Sequence, residues 1–199
     1  VRAEQARQEA EAHAARAEQA RQNAQANLRE LIETTLEFVS SSDWELSWLP
    51  YTLKERKKVL RGFHDTLLYL PESERQLPEV RYALLKVIHR RADLSFHDET
   101  LKDADLLLLK ARNELSVGLS RSPDDLKLLR ELALNHSKRG KVALAQERWE
   151  TARHHFSEAL KLMTAQTIQD DPRMRAVSLF ELAELEFLRD DLKAAATLL

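Results

Sequence analysis

Ala133-Leu134-Asn135-His136-Ser137-Lys138-Arg139-Gly140 opens a stretch, running to Thr164, whose reading decides the fold. With Ala133 counted as position 1, Gly140, Ala152, Phe156 and Ala159 stand at positions 8, 20, 24 and 27. A helix fits the first half, a turn falls near Glu147, and a second helix carries Ala152-x-x-x-Phe156-x-x-Ala159. Small residues at these places let two antiparallel helices approach closely, and Phe156 fills the groove beside them. The spacing predicts a helical hairpin.

The same template fits on either side. With Leu85 as position 1, Ala92, Ala104, Leu108 and Ala111 take positions 8, 20, 24 and 27, with Leu in place of the aromatic. With Ala176 as position 1, Ala183, Ala195 and Leu199 take positions 8, 20 and 24. The copies start 48 and 43 residues apart. In the first, a helix is expected just after Pro78 and a second over about Glu99–Leu119, its apolar face carrying Leu101, Leu107, Leu108, Leu115 and Leu119. Ser122-Pro123-Asp124-Asp125 restarts the chain with cap, proline and early acids. Helices over about Asp124–Leu144 and on to Gln166 follow, and Asp170-Asp171-Pro172 opens the third copy.

Toward the N-terminus the character changes. Residues 2–27 are almost entirely Ala, Glu, Gln and Arg, all strong helix formers, and Arg2–Gln8 recurs unchanged as Arg16–Gln22. Ala3, Ala6, Ala10, His13, Ala17, Ala20 and Ala24 form a seam at coiled-coil spacing, but alanine buries little area. The stretch reads as a solvated linker or a weak self-association helix. From Leu28 the pattern is amphipathic through Leu31, Ile32, Leu36 and Val39, and Ser40-Ser41-Ser42-Asp43 is expected to end the helix. Trp44, Leu46, Trp48, Leu49 and Tyr51 form an apolar patch, either folded onto the bundle or facing a partner. A helix over about Thr52–Leu70 should bury Leu53, Val59, Leu60, Phe63, Leu67 and Leu70, with Lys54–Lys58 and Arg61 on a wet face. The expected division is 1–40 for the long helix, 41–77 for the Trp-rich connection and capping helix, and 78–199 for repeats. Those repeats cover about 78–120, 123–167 and 172–199.

Composition agrees with an all-α protein and removes several functions. Across 199 residues there are 3 Gly and 5 Pro, and 32% of residues are charged with a net charge of −2. That balance argues against nucleic acid or an anionic membrane as partner. With no Cys there is no thiol nucleophile, thiolate metal site or disulfide, which fits a cytoplasmic protein. The isolated glycines Gly62, Gly118 and Gly140 build no phosphate-cradling loop. Neighbouring His154 and His155 point about 100° apart on a helix, poor for one metal. His89, Asp93 and His97 lie one turn apart, a better geometry that a charged helix face also explains. No catalytic residue, metal or cofactor is expected. Val1 in place of Met and an end in mid-pattern at Leu199 suggest a piece of a longer protein.

Gly140, Ala152, Phe156 and Ala159 resemble the tetratricopeptide repeat (TPR), which they match at 8, 20, 24 and 27; His136 and Ala143 depart from its aromatics at 4 and 11. The resemblance implies a right-handed helical solenoid of about three hairpins, preceded by a capping helix. It implies a concave groove lined by first-helix positions 2, 5, 6, 9, 12 and 13. In the first copy these are Lys86, His89, Arg90, Asp93, Phe96 and His97. The second gives Leu134, Ser137, Lys138, Lys141, Leu144 and Ala145, and the third Val177, Phe180, Glu181, Glu184, Phe187 and Leu188. The groove should grade from basic to acidic and aromatic, and its basic part could receive an acidic peptide or a C-terminal carboxylate. Asp93 and Lys138 stand where the family's clamp for chaperone C-termini needs Asn, so a chaperone-adaptor role is not expected. The Ala-rich helix ahead of such repeats is also similar to the TPR regions of large bacterial signalling and defence proteins with STAND-type NTPase, caspase-like or TIR effectors. On that resemblance the segment is a non-catalytic sensor or scaffold that binds a peptide or partner domain. The competing readings are a regulatory domain packing on its own flanking enzyme, and a self-association spacer.

Overall fold

A computed structural model describes residues 2–47, 52–164 and 172–188, and among these the chain is all-α, with eight helices and no strand. α1 spans Arg2–Ser47, α2 Leu53–Tyr69, α3 Glu72–Arg75, α4 Pro78–His97, α5 Leu101–Arg121, α6 Leu126–Ala145, α7 Trp149–Thr164 and α8 Pro172–Leu188. No helix among the described residues is long and apolar enough to cross a membrane.

α1 does not stop at Ser40–Asp43 but runs on to Ser47. Serine and aspartate are only mild helix formers, and without Gly or Pro among them nothing forces an end. Residues 4–27 are exposed wherever their side chains are described, so the described part of the Ala seam, from Ala10 to Ala24, covers nothing. Arg7 pairs with Glu11 one turn on, at 2.9 Å, along that solvated surface. From Leu28 onward α1 lies on α2 and α4, with Ile32 buried, Leu28 and Leu36 half-buried beside it, and Arg29 paired to Glu79 at 2.6 Å. The Trp44 and Trp48 patch falls outside the described side chains, as do Ala195 and Leu199 of the third copy.

Three apolar clusters follow one another along the chain, and a fourth, smaller one joins α6 and α7 through Ala133 and Met163. The first joins α1, α2 and α4 through Ile32, Leu60, Leu67, Val80, Ala83, Val87 and Leu94. Val59, expected inside, is 43% exposed. The buried stripe of α2 runs Leu53, Leu60, Phe63, Leu67 and Leu70, and Val59 lies about 100° away from Leu60 on the helix. The second cluster joins α4, α5 and α6, and holds Ala92, Ala104, Leu108 and Ala111, all four of the small and large positions of the first copy. The third joins α6, α7 and α8 through Ala143, Ala152, Phe156, Leu182 and Leu185. Each helix from α4 to α8 packs on the next, and α4 also touches α6, as α6 touches α8.

Two turns share one geometry. After α4, the Glu99 and Thr100 amides donate to the Phe96 and Ser95 carbonyls at 3.1 and 2.9 Å, and Glu99 takes a φ of 55°. After α6, the Glu147 and Arg148 amides donate to Leu144 and Ala143, both at 2.9 Å, and Glu147 takes a φ of 57°. Both are Schellman caps with glutamate at the left-handed residue, where glycine is favoured. Glu99 and Glu147 are 48 residues apart, the same offset that separates Leu85 from Ala133. Between α5 and α6 the Asp125 carboxylate accepts from the Lys127 and Leu128 amides at 2.9 and 3.2 Å, and so caps α6.

Candidate binding groove

Along α4, α6 and α8, two hollows of about 460 and 230 Å³ share Asp93, Leu134 and Lys138 and so form one continuous groove. Lys86, His89 and Arg90 line the larger one, which α1 and α2 close with Leu36, Glu37 and Leu60. His97 and Lys141 line the smaller one with Phe96, Ser137 and Val177. Phe180, Glu184 and Phe187 line neither hollow. They stand exposed on α8, the two phenylalanines at 60% and 61%.

The expected basic character is largely cancelled from within. Lys86 Nζ lies 2.7 Å from a carboxylate oxygen of Glu131, which is buried on α6. The other Glu131 oxygen is 3.0 Å from His89 Nδ1, and His89 Nε2 is 3.2 Å from the Asn135 amide nitrogen. Since that amide nitrogen donates, Nε2 accepts, and the His89 proton sits on Nδ1 facing the carboxylate. Asn135 also donates to the Leu108 carbonyl at 2.9 Å, tying α5 into the network. Burial alone would raise the Glu131 pKa, but the hydrogen bonds from His89 and Lys86 outweigh it and hold the carboxyl below its ordinary value. Burial works the other way on Lys86, where the bond to Glu131 prevails and raises the pKa.

Lys138 and Lys141 are paired in a repeating register. Asp93, at position 9 of the first copy, pairs with Lys138, at position 6 of the second. Lys141, at position 9 of the second, pairs at 3.1 Å with Glu181, at position 6 of the third. The contact is the same with its charges exchanged. Ser137 donates to the engaged Glu181 oxygen at 2.7 Å, leaving the other oxygen buried without a hydrogen-bond partner. Farther along α8, Glu186 is buried and paired with Arg153 of α7. Arg90 is exposed and has no ion-pair partner among the described residues.

His89, Asp93 and His97 do not converge. His89 faces Glu131, Asp93 faces Lys138, and His97 is exposed with its ring edge-on to Phe96 at 6.1 Å between centroids. Among the described residues no three His, Asp or Glu side chains are placed to hold a metal. His155 is buried between α6 and α7, its Nδ1 3.1 Å from that of His136.

Reasoning from repeat positions missed Glu131 and Asn135. Their signal was present: two polar residues one turn apart, on a helix whose neighbouring positions Leu128, Leu132 and Ala133 are apolar. No protein-family model and no curated protein matches the chain.

Proposed function

We propose that the chain is a non-catalytic interaction module of TPR-like helical hairpins, whose α4, α6 and α8 face binds a peptide or a partner's extended segment. It reads that partner on behalf of an activity held elsewhere. What supports this is one arrangement: the half-buried Asp93–Lys138 pair and the pair of exposed Lys141 with buried Glu181 cross-tie α4, α6 and α8 into a floor, and Phe180 and Phe187 stand exposed on α8. A rigid floor lowers the ordering cost of binding, and exposed aromatics provide anchors.

The pairing of Lys86, Lys138 and Lys141 narrows the ligand. Their charge is already met by Glu131, Asp93 and Glu181, so the peptide is held chiefly by apolar anchors, with one carboxylate on Arg90. The test is selection of peptides from a displayed random library, followed by titration of the enriched sequences. Arg90→Glu, Phe180→Ala and Phe187→Ala change exposed side chains and should leave the fold intact. Enriched peptides should bind the wild type and lose at least tenfold in affinity to the triple variant. Equal binding to both proteins would defeat the reading.

A further inference from the structure

A further cavity of about 620 Å³ opens where α1 crosses the start of α4 and the turn between α5 and α6, adjoining the groove at Leu36 and Tyr82. Its volume is that of a site for a small organic molecule. Ile32 and Leu36 of α1 form one wall, Leu126 and Leu128 of α6 another.

At one end the cavity holds two guanidinium groups. Arg81 Nη2 and Arg121 Nη1 donate to the same Gln76 side-chain oxygen, at 2.6 and 2.7 Å. Neither arginine is paired with a carboxylate among the described residues, and Arg81 Nε is buried with no hydrogen-bond partner. Two like charges on one neutral acceptor are poorly compensated, whereas a carboxylate would neutralise both and take up several donors at once. The acids that share the cavity do not fill this role. Glu79 is paired with Arg29, Asp125 caps α6, and Glu33 is exposed on α1 without reaching either arginine.

We propose that this cavity binds a small amphipathic carboxylate. The apolar body lies between the α1 and α6 leucines, and the carboxylate takes the place of the Gln76 oxygen on Arg81 and Arg121. A small molecule is favoured over a polypeptide because α1 lies across the cavity, seated by Ile32 and fastened by the Arg29–Glu79 pair.

Calorimetric titration with decanoate below its micelle concentration tests this, with decanol and inorganic phosphate as companions. Decanoate should bind one per chain, decanol at least tenfold more weakly, and phosphate not measurably. Arg121→Gln should weaken decanoate at least tenfold, and Arg81→Gln with Arg121→Gln should abolish its binding. Arg90→Gln, in the peptide groove, should leave it unchanged. Equal binding of decanoate and decanol would overturn the proposal. So would decanoate affinity undiminished in the double variant, or no binding by wild type. Thermal melts of each variant without ligand identify any loss that comes from unfolding; if the double variant melts early, Arg121→Gln alone decides.

Discussion

Gly140 presses directly on the ring of Phe156: a Cβ built on the glycine would stand 2.3 Å from Phe156 Cε1. Phe156 is 1% exposed and has nowhere to retreat. Gly140→Ala should therefore destabilise the protein by about 1–3 kcal/mol, although alanine is the better helix former by about 1 kcal/mol. Gly62 is the control, since nothing lies within 4 Å of a Cβ placed there. Gly62→Ala should stabilise by about 0.5–1 kcal/mol. Urea midpoints of the two variants should move in opposite directions.

Glu131 serves Lys86 and His89 with its two oxygens. Lys86 is partly exposed and can turn to water, but His89 is buried and cannot. Glu131→Gln should thus cost about 1–3 kcal/mol, mostly through the weakened bond to His89. Combining it with Lys86→Gln should add little, and a double-mutant cycle in urea measures that coupling.

The facing imidazoles of His136 and His155 set an acid limit. Burial first and then the Arg112 guanidinium push the pKa of His136 to about 4 against an upward pull from Glu158, with Arg139 and His154 adding to the fall. Burial, then Arg139, His136, His154 and Arg112, push that of His155 to about 3. An unfolded chain takes up these protons near the ordinary value of about 6.5, before the folded chain does. Their contribution is therefore fully present above pH 6.5 and is lost as pH falls through about 4 and then 3. Glu131, whose pKa is also lowered, adds a loss that begins below its ordinary 4.5. The urea midpoint should fall between pH 7.5 and pH 5, and His136→Gln with His155→Gln should flatten that fall.

The turn residues Glu99 and Glu147 carry φ values of 55° and 57°. Replacing either with Gly should raise stability by about 0.5–1 kcal/mol, because the left-handed strain relieved exceeds the added freedom of the unfolded chain. Neither change touches the groove, so peptide affinity in the same preparations should not move.

Packing positions were legible in the sequence to the extent that local spacing governs them. Ala92, Ala104, Leu108 and Ala111 are buried because a close helix crossing demands small residues where the template puts them. The end of α1 was not legible, since a run of serines permits a stop without requiring one. Val59 was misplaced by counting apolar residues instead of following the stripe through Leu60 and Leu67. In the groove, position alone placed Lys138 and Lys141 on the lining, but their partners Asp93 and Glu181 lie 45 and 40 residues away in the chain. Nothing in local pattern says which distant acid a lysine will meet.

The exchange of charge between Asp93–Lys138 and Lys141–Glu181 also acts as an address. Were α4 to dock directly on α8, skipping α6, the same register would set Asp93 against Glu181. Were α6 to dock on α6 of another molecule, it would set Lys141 against Lys138. Both errors bring like charges together where the native order brings opposite ones. The chain thus carries in two ion pairs a safeguard against a skipped helix and against α6 pairing with its own copy, errors open to proteins built from similar units.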